Sequence, residues 1–229
     1  MKFMSRKEDT EYLYDEQWVY ARKGDDLFKL AVFDKHLYKL RMMNGAPVLE
    51  IDGLRMQLVK NFKTPLDYSK EVAGILEVTK EDVVLDTCMG LGYTAIACSK
   101  AKEITTCEIN DAVYTLASWS PFSTGLFSKN IKIIRGDIAE EIKKFDSESF
   151  SVIIHDPPRF SLAQFLYSTP FYEELKRVAK PDARLFHYVG SLGKSKGRNI
   201  AQEVQRRLEK VGFRDINYKE KYQGLFFRK

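Results

Sequence analysis

Between Trp18 and Val59 the apolar positions come in short runs, WVYAR, LFKLAVF, HLYKLRMM, PVLEI and LRMQLV, separated by turn-forming residues. Asn44-Gly45 and Asp52-Gly53 are the strongest of these breaks, and such a pair between β-forming residues predicts a hairpin. Residues 1–63 therefore predict a small antiparallel β unit. At Thr64 the pattern changes. Thr-Pro-Leu-Asp supplies an N-cap, a proline for the first helical position and an acid for the first turn, so a helix is expected to about Leu76.

From there apolar runs and amphipathic stretches alternate. VVLD (83–86), ITTCE (104–108), IKIIR (131–135) and FSVIIH (150–155) read as strands; helices are expected from Tyr93 to Lys100, from about Asp111, and from Ile138 to Lys144. Continuously apolar strands bracketed by such helices belong to a parallel sheet covered on both faces. A helix near Phe171 to Ala179, a strand ARLFHYV and a helix from about Asn199 to Val211 follow. FRDINY and YQGLFF then lie too close together for a crossover helix and must pair as a hairpin. The expected fold over residues 64–229 is α/β, a Rossmann-like doubly wound sheet closed by a C-terminal antiparallel hairpin.

Composition narrows the setting. The three cysteines, Cys88, Cys98 and Cys107, show no C-x-x-C spacing, so neither a disulfide framework nor a metal site is expected. The start of the chain carries charges and no apolar core of a signal peptide, and the uncharged stretch 112–128 is broken by Pro121 and Gly125, so a cytoplasmic protein without a membrane span is expected. The net charge of +5 is uneven: residues 71–175 hold 9 Lys or Arg against 16 acids, whereas residues 176–229 hold 15 against 5. That asymmetry points to a polyanionic partner on one side of the molecule, the alternative being a solvated basic helix.

The candidate chemistry begins at the strand-to-helix turn Asp86-Thr87-Cys88-Met89-Gly90-Leu91-Gly92, where small residues let the backbone approach a ligand. Gly90 to Ala95 also satisfies the dinucleotide pattern G-x-G-x-x-A, with Glu108 placed to hold ribose hydroxyls, so a nicotinamide cofactor remains an alternative at this point. Two further acids favour S-adenosylmethionine (SAM): Asp86 ends the first strand of the alternating region and Asp137 follows the third. SAM carries an amino acid ammonium, ribose hydroxyls and an adenine amine, which are three donor clusters for three acids. For each acid the alternative is a helix cap or an exposed charge.

At these residues the chain resembles class I SAM-dependent methyltransferases. LDTCMGLGYTA looks like their first motif, with Cys88 in place of the usual first glycine; the resemblance implies that Asp86, Cys88, Gly90, Gly92, Glu108 and Asp137 bind SAM. His155-Asp156-Pro157-Pro158-Arg159-Phe160, after the fourth strand, resembles the D/N-P-P-aromatic motif of amino-methylating enzymes and the D-P-P-x-F segment of certain ribosomal-RNA methyltransferases. The whole chain is also similar to a group of archaeal proteins predicted to be methyltransferases. By that resemblance Asp156 and the Pro157 carbonyl accept hydrogen bonds from a target amine in a turn stiffened by Pro158, with Phe160 or the Arg159 guanidinium as a stacking face.

None of the cysteines falls near the fourth or fifth strand, where methylation at a pyrimidine carbon would need a nucleophile, so nitrogen is the expected acceptor. Lys194, Lys196 and Arg198 could grip phosphates beside the crevice. Gly193-Lys194-Ser195 is no phosphate loop, since Tyr188 stands where its first glycine is required. Trp119, Pro121 and Phe122 either roof the pocket or simply pack their helix. The leading expectation is a methyltransferase acting on a nucleobase nitrogen in RNA, either tRNA or rRNA. The alternatives are an aminopropyltransferase of the spermidine synthase type, a noncatalytic nucleic-acid binding module and a NAD-linked dehydrogenase.

Overall fold

A computed structural model describes residues 10–190 and 199–229. The first part of the chain forms two antiparallel sheets rather than one. Strands β1 (Glu11–Tyr14), β2 (Val19–Lys23) and β3 (Asp26–Lys29) make a three-stranded meander; β4 (Ala31–Asp34), β5 (His36–Met43), β6 (Ala46–Ile51) and β7 (Leu54–Arg55) make a four-stranded one. The run LFKLAVF is divided at the fully buried Leu30, whose N–H donates to the Val19 carbonyl while its own carbonyl accepts from Leu40. One residue thus joins two sheets. The mostly exposed strand β1 has no hydrophobic alternation to announce it, and LRMQLV is a strand over Leu54–Arg55 alone.

Helix α1 (Pro65–Ile75) begins at the expected cap, with Thr64 and Asp67 exchanging side-chain-to-backbone hydrogen bonds. Then come β8 (Val83–Asp86), α2 (Tyr93–Ala97), β9 (Glu103–Glu108), α3 (Asp111–Trp119), β10 (Ile131–Arg135), α4 (Ile138–Glu141) and β11 (Phe150–His155). The domain continues through α5 (Thr169–Val178), β12 (Ala179–Tyr188), α6 (Ile200–Val211), β13 (Arg214–Lys219) and β14 (Gly224–Arg228). Helix α2 is shorter than its pattern predicts, and α4 passes into a 3-10 turn over Ile142–Lys144.

The seven-stranded sheet has the order β10-β9-β8-β11-β12-β14-β13. Its first five members are parallel, and β14 runs antiparallel between β12 and β13. Strand order reverses between β8 and β11, so the connections leaving their carboxyl ends diverge and open a crevice.

Each face of the sheet has its own core. Val72, Leu116 and Phe186 lie in one, which the small sheets join through Leu30, Leu40 and Leu49; Phe171, Leu175, Val204 and Leu208 lie in the other. Three hydroxyl or amide contacts fasten the small sheets down: Tyr93 to the Pro47 carbonyl at 2.9 Å, Asn110 to the Tyr38 hydroxyl at 2.7 Å, and Tyr12 to the Trp119 carbonyl at 3.1 Å. The Tyr93 bond is buried, so Tyr93→Phe leaves a carbonyl without its donor. The substitution is expected to lower stability by about 1 to 2 kcal/mol in a urea titration while preserving the far-ultraviolet circular dichroism spectrum.

Candidate active site

The carboxyl ends of the parallel strands open into a cavity of about 1100 Å³. The small sheets form much of its other wall, through residues between His36 and Lys60. On the sheet side, the turn after β8 places Gly90 and Gly92 at φ 53° and 77°, backbone that a side chain rarely tolerates. At Gly92 a Cβ would also come within 2.6 Å of Leu126.

Glu108, at the end of β9, faces this turn. One carboxylate oxygen accepts from the Gly90 N–H at 3.0 Å and the other from Asn110 at 2.9 Å, leaving each a further lone pair. Burial pushes its carboxyl up to about 7. Asp137 also lines the cavity and, at the same time, caps α4 by accepting from Ala139 at 2.9 Å. Cys88 lines the cavity too, its thiol pushed up by burial.

Asp86 does not reach this space. Its side chain is fully buried behind the wall, where Thr94 and Thr106 donate their hydroxyls to its two oxygens at 2.9 and 2.7 Å. Asp86, expected to meet a ligand ammonium, is therefore set behind the cavity wall rather than on it. Its carboxyl is pushed up to about 7 by desolvation, which outweighs the two hydroxyls.

The turn after β11 supplies Asp156, Pro157, Pro158 and Arg159 to the same cavity. Asp156 accepts from the Tyr68 hydroxyl, on α1, at 3.2 Å, and its carboxyl is pushed up to about 7 by burial and then by the Asp86 charge. Phe160 departs from expectation. It turns inward and meets the Tyr167 ring edge-on at 5.4 Å, and it is absent from the cavity wall, because an aromatic side chain there gains more from the second core than from water. Leu162 and Phe165, a few residues further on, are exposed on the wall instead.

A buried histidine pair holds the two turns in place. Thr87 donates to His155 Nδ1 at 2.7 Å, and the other ring nitrogen donates to the Leu166 carbonyl at 2.9 Å. His187 donates to the His155 carbonyl at 3.3 Å and accepts from Tyr172 at 2.9 Å. Desolvation lowers both imidazoles, His155 to about 4, so both are neutral at physiological pH.

Lys194, Lys196 and Arg198 lie outside the described residues. Trp119, Pro121 and Phe122 do not line the cavity; Trp119 packs on the core. The wall residues that sequence reasoning missed, Tyr68, Gln57 and Tyr188 among them, have no local signature: Tyr68 meets its carboxylate partner across 88 positions of chain. Among the described residues no group of His, Cys, Asp and Glu is placed to hold a metal ion, and no helix is long and apolar enough to cross a membrane.

The glycine turn, Glu108 and Asp137 together form a cradle that could hold a nucleoside carrying a charged tail, with Asp156 across from it. The fold around this cradle is that of SAM-dependent methyltransferases and their relatives. A SAM-dependent methyltransferase from Aquifex aeolicus is 21% identical, with a TM-score of 0.54 over 70% of this chain and 88% of its own. The Methanocaldococcus jannaschii tRNA m1G37 methyltransferase is 16% identical, with 0.51 over 89% of this chain and 58% of its own. Spermidine synthase from Thermotoga maritima is 17% identical, with 0.66 over 100% of this chain and 81% of its own. No protein-family model matches the chain. By sequence it belongs to the family of the uncharacterized protein MJ1233 of Methanocaldococcus jannaschii, 45% identical over 213 residues that span 92% of this chain and 73% of that protein.

The raised carboxyls make stability depend on pH. An unfolded Asp86 ionises near 4, so between about 4 and 7 the folded chain holds a proton that the unfolded chain has released. Its contribution is fully present below the unfolded value and is lost as pH rises through about 7. Asp86→Asn should therefore lose less stability than the wild type between pH 5 and 8, by roughly 2 kcal/mol in paired denaturant titrations.

Proposed function

We propose that this protein is a SAM-dependent methyltransferase acting on a nitrogen of an RNA nucleobase. One observation carries the reading: Glu108 and Asp156, from strands on opposite sides of the β8 to β11 reversal, face a single cavity beside a glycine turn. The Glu108 oxygens keep lone pairs for two ribose hydroxyls, and the absence of a Cβ at Gly90 lets the nucleoside lie against the backbone. Asp137 and the exposed Ile109 border the place an adenine would take. When bound, SAM supplies an electrophilic methyl on a sulfonium that leaves without needing a proton.

The protein's own task is then to aim and dehydrate the acceptor. Tyr68 occupies one oxygen of Asp156, which leaves the other for an acceptor N–H. That hydrogen bond turns the nitrogen lone pair toward the methyl, and a carboxylate with its affinity for protons raised to about 7 can take up the proton the methylated nitrogen sheds. A planar acceptor is supported by the exposed Leu162 and Phe165 on the wall.

The basic C-terminal segment supports RNA less than its charge suggests. Lys176, Arg177, Arg184, Arg207, Arg214, Lys221 and Lys229 already hold backbone carbonyls or acids of this chain. Among the described residues of the segment, Lys180, Arg206, Lys210, Lys219 and Arg228 remain for a polyanion. A second reading, aminopropyl transfer to a polyamine, is favoured by the likeness to spermidine synthase, which runs through the small sheets as well as the larger domain.

Two measurements separate these readings. Methyl-tritiated SAM should label RNA from a strain lacking the gene, whereas product from putrescine and decarboxylated SAM would replace the first reading by the second. Glu108→Gln should weaken SAM binding by about 10- to 100-fold in calorimetry, and Asp156→Ala should leave that affinity nearly intact while lowering kcat by about 100-fold. With cofactor saturating, kcat should climb with pH and level off at or below about 7, since the carboxyl of Asp156 acts ionised and a bound sulfonium can only lower it.

A further inference from the structure

The charges on the cavity wall are unequally satisfied. Five carboxylates line it, Asp52, Glu108, Asp137, Glu140 and Asp156, and each has a partner within the protein. Asp52 pairs with His36 and accepts from the Leu37 N–H, and Glu140 pairs with Lys143 at 2.8 Å. Glu108 and Asp137 accept from backbone N–H groups, and Asp156 accepts from Tyr68. The lining cations Arg55, Lys60 and Arg159 are the reverse case: among the described residues none has a carboxylate within ion-pair distance. Arg55 contacts the Met43 sulfur at 3.5 Å, whereas Lys60 and Arg159 are exposed on the wall with no hydrogen-bond partner among the described residues.

A concave surface with walls of low polarizability strengthens the field close to such charges, so each unpaired cation offers a local site for an anion. Arg159 stands three residues after Asp156, and its charge reaches the Tyr188 hydroxyl that the Asp156 charge also reaches. Lys60 enters from the segment between β7 and α1. The loop that carries Arg159 also carries the exposed Leu162 and Phe165, so an apolar face and a guanidinium arrive on one piece of chain. Guanidinium forks match phosphate oxygens in pairs, and an ammonium serves as a point charge beside them.

We propose that Arg159 and Lys60 bind the phosphate groups that flank the nucleotide held at Asp156. This assigns them the acceptor side of the cavity, and it rests on the RNA-methylating reading above.

The test is direct binding of a fluorescein-labelled single-stranded oligouridylate to the full chain without cofactor, followed by anisotropy across a salt series. Arg159→Ala and Lys60→Ala should each weaken binding by about tenfold at low salt. Each should also flatten the plot of log affinity against log salt by about 0.7. Lys80→Ala, at the amino end of β8 and away from the cavity, should bind as the wild type does. SAM affinity in both cavity variants should stay within about twofold of wild type by calorimetry, which shows that they are folded and that the loss lies on the acceptor side.

Unchanged oligonucleotide binding and salt slope in both variants would overturn the proposal, as would a wild type that does not bind the oligonucleotide. Uridine monophosphate competing as well as the oligomer would keep a phosphate site but overturn a polynucleotide as its source. Failure of the wild type to bind SAM would count against the methyltransferase reading alone, because the anisotropy measurement needs no cofactor.

Discussion

The hydroxyl of Thr87 and the imidazole of His155 meet 2.7 Å apart, in a place from which water is excluded, and on this contact the relation between the two halves of the cavity depends. Thr87 follows β8 and leads into the glycine turn; His155 ends β11 and leads into the Asp-Pro-Pro turn. A main-chain bond from Thr87 to the Ile154 carbonyl at 3.0 Å runs beside it. The other imidazole nitrogen is committed to Leu166, at the far end of the loop that carries Arg159 and Phe165. A single neutral ring therefore fixes three segments. Because a buried imidazolium would be costly, acid opposes this arrangement: the contribution of His155 is present above its unfolded value near 6.5 and is lost as pH falls through about 4.

Most of the large sheet could be read from the chain, because its parallel strands carry apolar runs and its helices alternate with them. VVLD, IKIIR and FSVIIH stand as strands within the boundaries read from the sequence. The small sheets were less legible. Leu30 sits inside an unbroken β-like run, and only its two hydrogen bonds to different sheets divide that run. At the cavity, Glu108 and Asp156 could be placed because a strand's carboxyl end points them there. Asp86 occupies an equivalent end, yet the Thr94 and Thr106 hydroxyls turn it inward, and those partners lie 8 and 20 positions away. Tyr68 and Lys60 belong to the cavity only because a separate β unit and α1 fold across it.

Charge shows the same separation between sequence and surface. The C-terminal excess of cations reads as a partner-seeking face when counted along the chain, but arginine there serves mainly as an internal fastener. Arg184 illustrates it: one guanidinium bridges the Leu76 and Glu77 carbonyls and the nearly buried Asp82, closing the end of α1 onto β12. Two cations without such duties among the described residues, Lys60 and Arg159, lie outside that segment and on the cavity wall. Where a charge goes unanswered says more about a ligand than how many charges a segment carries.

The placement of β14 between β12 and β13 bears on how the chain is made. A sheet whose penultimate position is filled by its final strand cannot be completed in order of synthesis. Until residues 224–228 emerge, β12 has a bare edge along Arg184 to Tyr188, and Phe186 lacks the glycine against which its ring lies. An exposed strand edge of this kind is a template for pairing with other chains. The second core therefore stays unsealed along β12 until residues 224–228 are in place to cover that edge.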